Sequence, residues 1–158
     1  MATYGIPHGG YEMKKILEEC KDDPMFNGYK GNRVAHRVLI VDDSLFVRKS
    51  IEDILGNVGY EIAGQAEDGE EAIGKYFDLL PGVVTMDINM PIMEGLESVE
   101  KILERDPSAK IVMVSAMGYQ KMVKDAILRG AKNFVVKPIK ATNVKQFLKT
   151  VKTVAEGN

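Results

Sequence analysis

The stretch "VVTMDINMPIMEG", Val83 to Gly95, decides the fold. A short apolar, β-prone run stops at a single carboxylate, Asp87, and a Met-Pro turn and a helix-like segment follow. The same grammar repeats outward from it. "VLIV" (38–41), "EIAGQ" (61–65), "GVVTM" (82–86), "KIVMV" (110–114) and "NFVVK" (133–137) are rich in Val and Ile and mostly lack period-two alternation. Strands buried on both faces of a parallel sheet read this way. Between them apolar residues recur at helical spacing: Val47, Ile51, Ile54, Leu55 and Val58; Ala72, Ile73, Tyr76, Phe77 and Leu80; Leu96, Val99, Ile102 and Leu103; Val123, Ala126 and Ile127; Val144, Phe147, Leu148 and Val151. Ser44 stands where a helix N-cap belongs and Gly130 where a C′ glycine belongs. Five strands alternating with five helices predict an α/β, doubly wound domain over residues 36–156.

Residues 1–35 form a separate N-terminal arm, rich in glycine, with a short helix expected from Tyr11 to Lys21. Met13, Ile16, Leu17 and Cys20 share one face of that helix, with Lys14, Lys15, Glu18 and Glu19 on the others. An isolated helix of this length is marginal in water, so its stripe should be buried on something. The expected hosts are the α/β domain of the same chain or a second copy, giving a monomer or an arm-mediated dimer. "NGYKGNR" (27–33) is expected to be a flexible linker, and the bland alternative is a disordered tail.

Composition narrows the class. The chain has 158 residues, enough for one domain, with 45% hydrophobic and 28% charged residues. A lone cysteine, Cys20, excludes an internal disulfide framework and suits a reducing compartment. There is no apolar run of transmembrane length and no basic-then-apolar leader pattern at the start. A cytoplasmic protein acting away from membranes is expected. The net charge of -2 hides an asymmetry: residues 1–36 are neutral, 37–118 carry -9 and 119–158 carry +7. Without a DNA-reading module or a domain-wide basic excess, nucleic acid is not the expected partner. A local basic face for an acidic protein fits better.

In open α/β sheets, ligands bind beyond the carboxyl ends of the strands. The first strand runs into Asp42 and Asp43, the third into Asp87, the fourth into Ser115 and the fifth into Lys137. Three carboxylates at one edge repel one another, and a hard divalent cation such as Mg2+ relieves that cost. A lysine and a hydroxyl opposite the cation suit a phosphoryl group. The constellation points to phosphoryl transfer onto a carboxylate, with Asp87 as nucleophile.

"VLIVDDS", "TMDINMPIMEG", "VMVSA" and "FVVKPI" resemble the receiver domain of two-component response regulators over about residues 36–156, most closely stand-alone receivers of the chemotaxis-regulator (CheY-like) kind. The resemblance implies a flavodoxin-like (βα)5 sheet of order 2-1-3-4-5. It implies Mg2+, with Mn2+ as substitute, held by Asp42, Asp43, Asp87 and the main-chain carbonyl of Asn89. Asp87 would accept the phosphoryl group from a histidine kinase, Ser115 would bond it, Ala116 would leave room above it, and Lys137 would pair with it. Lys137–Pro138 would be cis. Phe134 occupies the aromatic switch position, where many chemotaxis receivers have tyrosine, and Asn89 and Met117 occupy the positions that tune signal lifetime. The face of the fourth helix, fifth strand and fifth helix, with Phe134, Lys121, Lys124, Lys132 and Lys140, would dock an acidic, partly apolar target, possible targets including a flagellar motor.

On this reading the chain is not an enzyme beyond making and breaking its own acyl phosphate; it signals in chemotaxis or motility by state-dependent docking. An alternative is a phosphorelay intermediate that passes the group to another histidine. A haloacid-dehalogenase-type phosphatase is a remote alternative, since "DIN" lacks that family's second acid. A flavin-binding module would need a Ser/Thr/Gly-rich loop where this chain has "DDSLF".

Overall fold

The computed structural model describes residues 10–157. Expectations for residues 1–9 lie outside them. Helix α1 (Gly10–Cys20) comes first, then a small antiparallel hairpin of β1 (Tyr29–Lys30) and β2 (Val34–Ala35). The alternating part follows: β3 (Arg37–Val41), α2 (Leu45–Asn57), β4 (Glu61–Ala66), α3 (Gly69–Leu79), β5 (Val83–Met86), α4 (Gly95–Arg105), β6 (Ile111–Ser115), α5 (Gln120–Leu128), β7 (Asn133–Val136) and α6 (Val144–Glu156). The five long strands form one parallel sheet in the order β4-β3-β5-β6-β7. Numbered within the sheet that is 2-1-3-4-5, the flavodoxin-like order.

The sheet is buried on both faces, which is why its strands read as continuous apolar runs. Val38, Ile40, Val83, Val112 and Val114 face one layer, made by Ile51, Ile54 and Leu55 of α2 and Val144, Phe147, Leu148 and Val151 of α6. Leu39, Val41, Val84, Met86, Ile111 and Met113 face the other, made by residues of α3, α4 and α5 that include Tyr76, Val99, Ile102 and Ala126. Ser44 caps α2 by accepting from the Val47 N–H at 3.2 Å. Gly130 follows α5 with φ of 114°, the left-handed geometry that glycine supplies without strain.

The arm docks on its own domain. Met13, Leu17 and Cys20 of α1 are buried in the α2–α6 layer, on the opposite side of the sheet from α3, α4 and α5. The expected flexible linker is instead an ordered hairpin. Gly28 donates its N–H to the Val58 carbonyl at 2.7 Å and accepts from the His36 N–H at 2.7 Å. It lies so close to Tyr60 that a Cβ there would sit 2.6 Å from the ring, so only glycine lets the two backbones meet. Lys152 of α6 locks the hairpin, donating to the Tyr29 carbonyl while pairing with Glu156 at 3.1 Å. The linker reading failed because glycine and asparagine serve tight turns as readily as flexible chain. These contacts gather at the amino ends of β3 and β4 and leave the carboxyl ends of the sheet uncovered.

Candidate functional site

At the carboxyl ends the strands deliver their polar residues together. β3 ends at Val41, and the Asp42 N–H bonds the Ala66 carbonyl of β4 at 3.0 Å, so the first acid is fixed by the sheet itself. One Asp42 carboxylate oxygen accepts from the Ser44 N–H at 2.9 Å; the other accepts from Lys137 Nζ at 2.8 Å. Asp87 follows β5, its N–H on the Val41 carbonyl at 2.9 Å. Its carboxylate accepts from the Ile88 N–H at 2.8 Å and lies 3.5 Å from Lys137 Nζ. Asp42, Asp43 and Asp87 each offer an oxygen within 4.8 Å of the other two. Asp42 and Asp87 are buried, and Asp43 is exposed.

One cation, Lys137, thus stands between two buried carboxylates, with a third beside them. The balance falls hardest on Asp87. Burial, then the Asp42 charge, push its carboxyl up to about 6; Lys137 and the Ile88 N–H pull the other way without matching them. Strain of this kind marks a place built to receive positive charge. Oxygen donors at this spacing suit a hard divalent ion such as Mg2+, which keeps several waters of its own.

Ser115 ends β6, fully buried, its Oγ accepting from the Met117 N–H at 3.3 Å. Ala116 after it is exposed. The Asn89 side chain reaches the Met117 sulfur at 3.7 Å, so the two positions expected to tune lifetime touch. Phe134 is half-buried against the α3–α5 layer. Lys137–Pro138 is cis. Lys121, Lys124, Lys132 and Lys140 are exposed.

Two supports of the site were not anticipated from the sequence. Gly95 opens α4 against the acid-bearing loop, its N–H on the Ile88 carbonyl at 2.7 Å. A Cβ there would lie 1.9 Å from the Asp87 carbonyl oxygen. Arg48 of α2 is buried and donates to the Asp42 carbonyl at 2.7 Å. The glycine at the end of the quoted stretch was a visible signal. Arg48 gave none, because an arginine within an amphipathic helix reads as solvated.

The response regulator receiver domain matches residues 38–149. The chain is 50% identical over 115 residues to the chemotaxis protein CheY of Thermotoga maritima, covering 73% of this chain and 96% of that one. It is 49% identical over 126 residues to the CheY of Treponema pallidum, covering 78% and 88%. A crystal structure of a CheX–CheY–BeF3–Mg2+ complex from Borrelia burgdorferi superposes with a TM-score of 0.74 at 39% identity, covering 78% of this chain and 95% of the matched one. The arm, α1 and the hairpin precede the matched residues. By sequence and by architecture, the chain belongs to the response regulator receiver domain family.

Proposed function

We propose that this protein is a phosphorylation-controlled switch: Asp87 accepts a phosphoryl group from a histidine kinase with Mg2+ at the acidic cluster, and the change of state controls docking to a partner protein. The observation that carries this is Lys137 set between Asp42 and Asp87 in a cluster of three carboxylates whose acceptor is pushed up to about 6.

The chemistry follows from the side chains. Above pH 6 most Asp87 is ionised, and a carboxylate lone pair attacks phosphorus. The bond from phosphorus to the donor imidazole nitrogen breaks, and the imidazole keeps that electron pair. Lys137 is within reach of charge that develops on the phosphoryl oxygens. Ser115 Oγ, presently an acceptor from Met117, has a hydroxyl proton to donate to one of them. Bound Mg2+, held by Asp42, Asp43, Asp87 and the Asn89 carbonyl, would neutralise the acids and polarise the phosphoryl group.

Two features support output by docking in chemotaxis. Several similar proteins are named chemotaxis protein CheY, and the similar CheY of Borrelia burgdorferi is solved in a complex with CheX. Lys121 and Lys124 of α5 line a groove of about 720 Å3 together with Leu96, Tyr119, Met122, Asp125 and Leu128, and Lys132 and Lys140, beside β7 and α6, are also exposed. That surface suits an acidic, partly apolar segment.

The test is intact-mass measurement after incubation with acetyl phosphate. Wild type should gain one phosphoryl group with Mg2+ and none in EDTA, and Asp87→Ala should gain none. An adduct persisting on the variant overturns the assignment.

A further inference from the structure

Arg48 poses a question that membership in the family does not answer. Only 9% of it is exposed, so a guanidinium has been brought inside against the main chain of Asp42, one of the three clustered acids. Burying a charge is expensive, and an apolar side chain of similar volume would serve stability at least as well. Yet among the described residues Arg48 forms no ion pair with Asp42, Asp43 or Asp87. Nη1 donates instead to the neutral main-chain carbonyl of Asp42 at 2.7 Å. Nε donates to Gln65 Oε1 at 3.0 Å, and Gln65 in turn donates to Glu52 at 3.0 Å. The fork is braced from β4 and α2 and aimed at one oxygen.

That oxygen belongs to the Asp42–Asp43 peptide. Because the peptide unit is planar, fixing its oxygen fixes the direction in which Asp43 leaves it. Asp42 does not need the help. Its N–H is held by Ala66 and its carboxylate by Ser44 and Lys137. Asp43 is exposed, and no hydrogen bond or ion pair holds its carboxylate among the described residues. Its placement rests on its backbone alone.

We propose that Arg48 is a positioning residue for the divalent-cation site, acting through the Asp42 carbonyl to hold Asp43 toward the cation. This rests on the reading of the acidic cluster as a Mg2+ site. The sign of the effect separates position from charge. As a charge, Arg48 repels a divalent cation, and its removal would tighten binding. As a brace, its removal loosens binding.

Calorimetric titration of Mg2+ into the unphosphorylated full chain decides between them, with urea midpoints in EDTA recorded alongside. Arg48→Ala should raise the Mg2+ Kd about tenfold, the size seen when groups that orient a metal ligand are removed. Arg48→Lys, which keeps a donor for the carbonyl and loses the Gln65 brace, should fall between. Asp43→Ala should cost affinity in wild type and little more in the Arg48→Ala background, because both changes remove the same ligand. A structural defect would not produce that non-additivity. If Arg48→Ala does not fold, Gln65→Ala carries the test, with a several-fold weaker site expected. An unchanged or tighter site in Arg48→Ala or, failing that, in Gln65→Ala, or additive losses with Asp43→Ala, overturns the inference. Wild type that takes up no Mg2+ would overturn the function proposed above, and this with it. Binding that Arg48 and Gln65 do not influence overturns the inference alone.

Discussion

Asp87→Asn should make the metal-free protein more stable, though it removes the phosphoryl acceptor. The carboxyl at 87 is held at about 6 in the folded chain against an ordinary value of 3.8. That difference of about 2.2 units, at 1.36 kcal/mol each, means the ionised group opposes folding by about 3 kcal/mol at pH 7.5. The amide keeps the shape and discards the charge. With a urea slope of about 2 kcal/mol/M, the midpoint in EDTA should rise by roughly 1 to 1.5 M. The sign with pH follows from proton binding. The folded state binds this proton more tightly than the unfolded state, so wild type gains stability relative to the variant as pH falls from 7.5 through 6. The gap should shrink to about half by pH 5 and nearly vanish by pH 4. Saturating Mg2+ should also close it, by stabilising wild type through mass action. Equilibrium urea curves at pH 7.5 and 5.0, in EDTA and in Mg2+, cover every part of this. A variant of equal or lower stability at pH 7.5 in EDTA would refute the electrostatic account of the site.

The arm yields a second expectation: Leu17 is buried against α2 and α6, so Leu17→Ala should cost about 2–4 kcal/mol in urea unfolding. Acetyl phosphate labelling of Asp87 should survive it, because the arm sits over the α2–α6 layer and not at the carboxyl ends of the strands; loss of labelling in a folded variant would contradict that separation. The Met117 sulfur is only a weak acceptor and already takes the Asn89 amide, so it orients no attacking water; Met117→Asn or Met117→Glu should change the decay rate of the acyl phosphate by several-fold, read by intact mass over time. A rate indifferent to both would argue against tuning from this position. Charge reversal of Lys121 and Lys124 should slow association with an acidic docking partner, more at 20 mM than at 300 mM salt. Association rates that ignore salt would count against the basic face as the docking surface.

The layered α/β part was legible because its signals are local and agree with one another. "VLIV" (38–41) and "IVMV" (111–114) alternate between the two core layers, residue by residue, so every position is apolar and the run is unmistakable. The acid cluster was legible for a topological reason: parallel strands end on the same edge, so residues that close each run must meet. What escaped notice was set by contacts far apart in sequence. Nothing near Gly28 announces that Tyr60 will crowd it, and nothing near Arg48 announces that its partners are Asp42 and Gln65. The apolar stripe Met13–Leu17–Cys20 showed that α1 needed a host; only the placement of α2 and α6 says which.

The seat of that first helix has a consequence for how the molecule comes together. Part of the surface that receives α1 is α6, more than 120 residues further along the chain, and the Lys152 tie to Tyr29 spans a similar distance. Contacts of such separation form late, because the chain between them must first be ordered. During synthesis α1 emerges before α6, yet at eleven residues it is too short to hold itself. Its burial should therefore report completion of the domain. Protection of the Met13–Cys20 amides from exchange should appear only after the sheet and α6 have closed, and a chain stopped before α6 should leave that stripe open to solvent and to proteases.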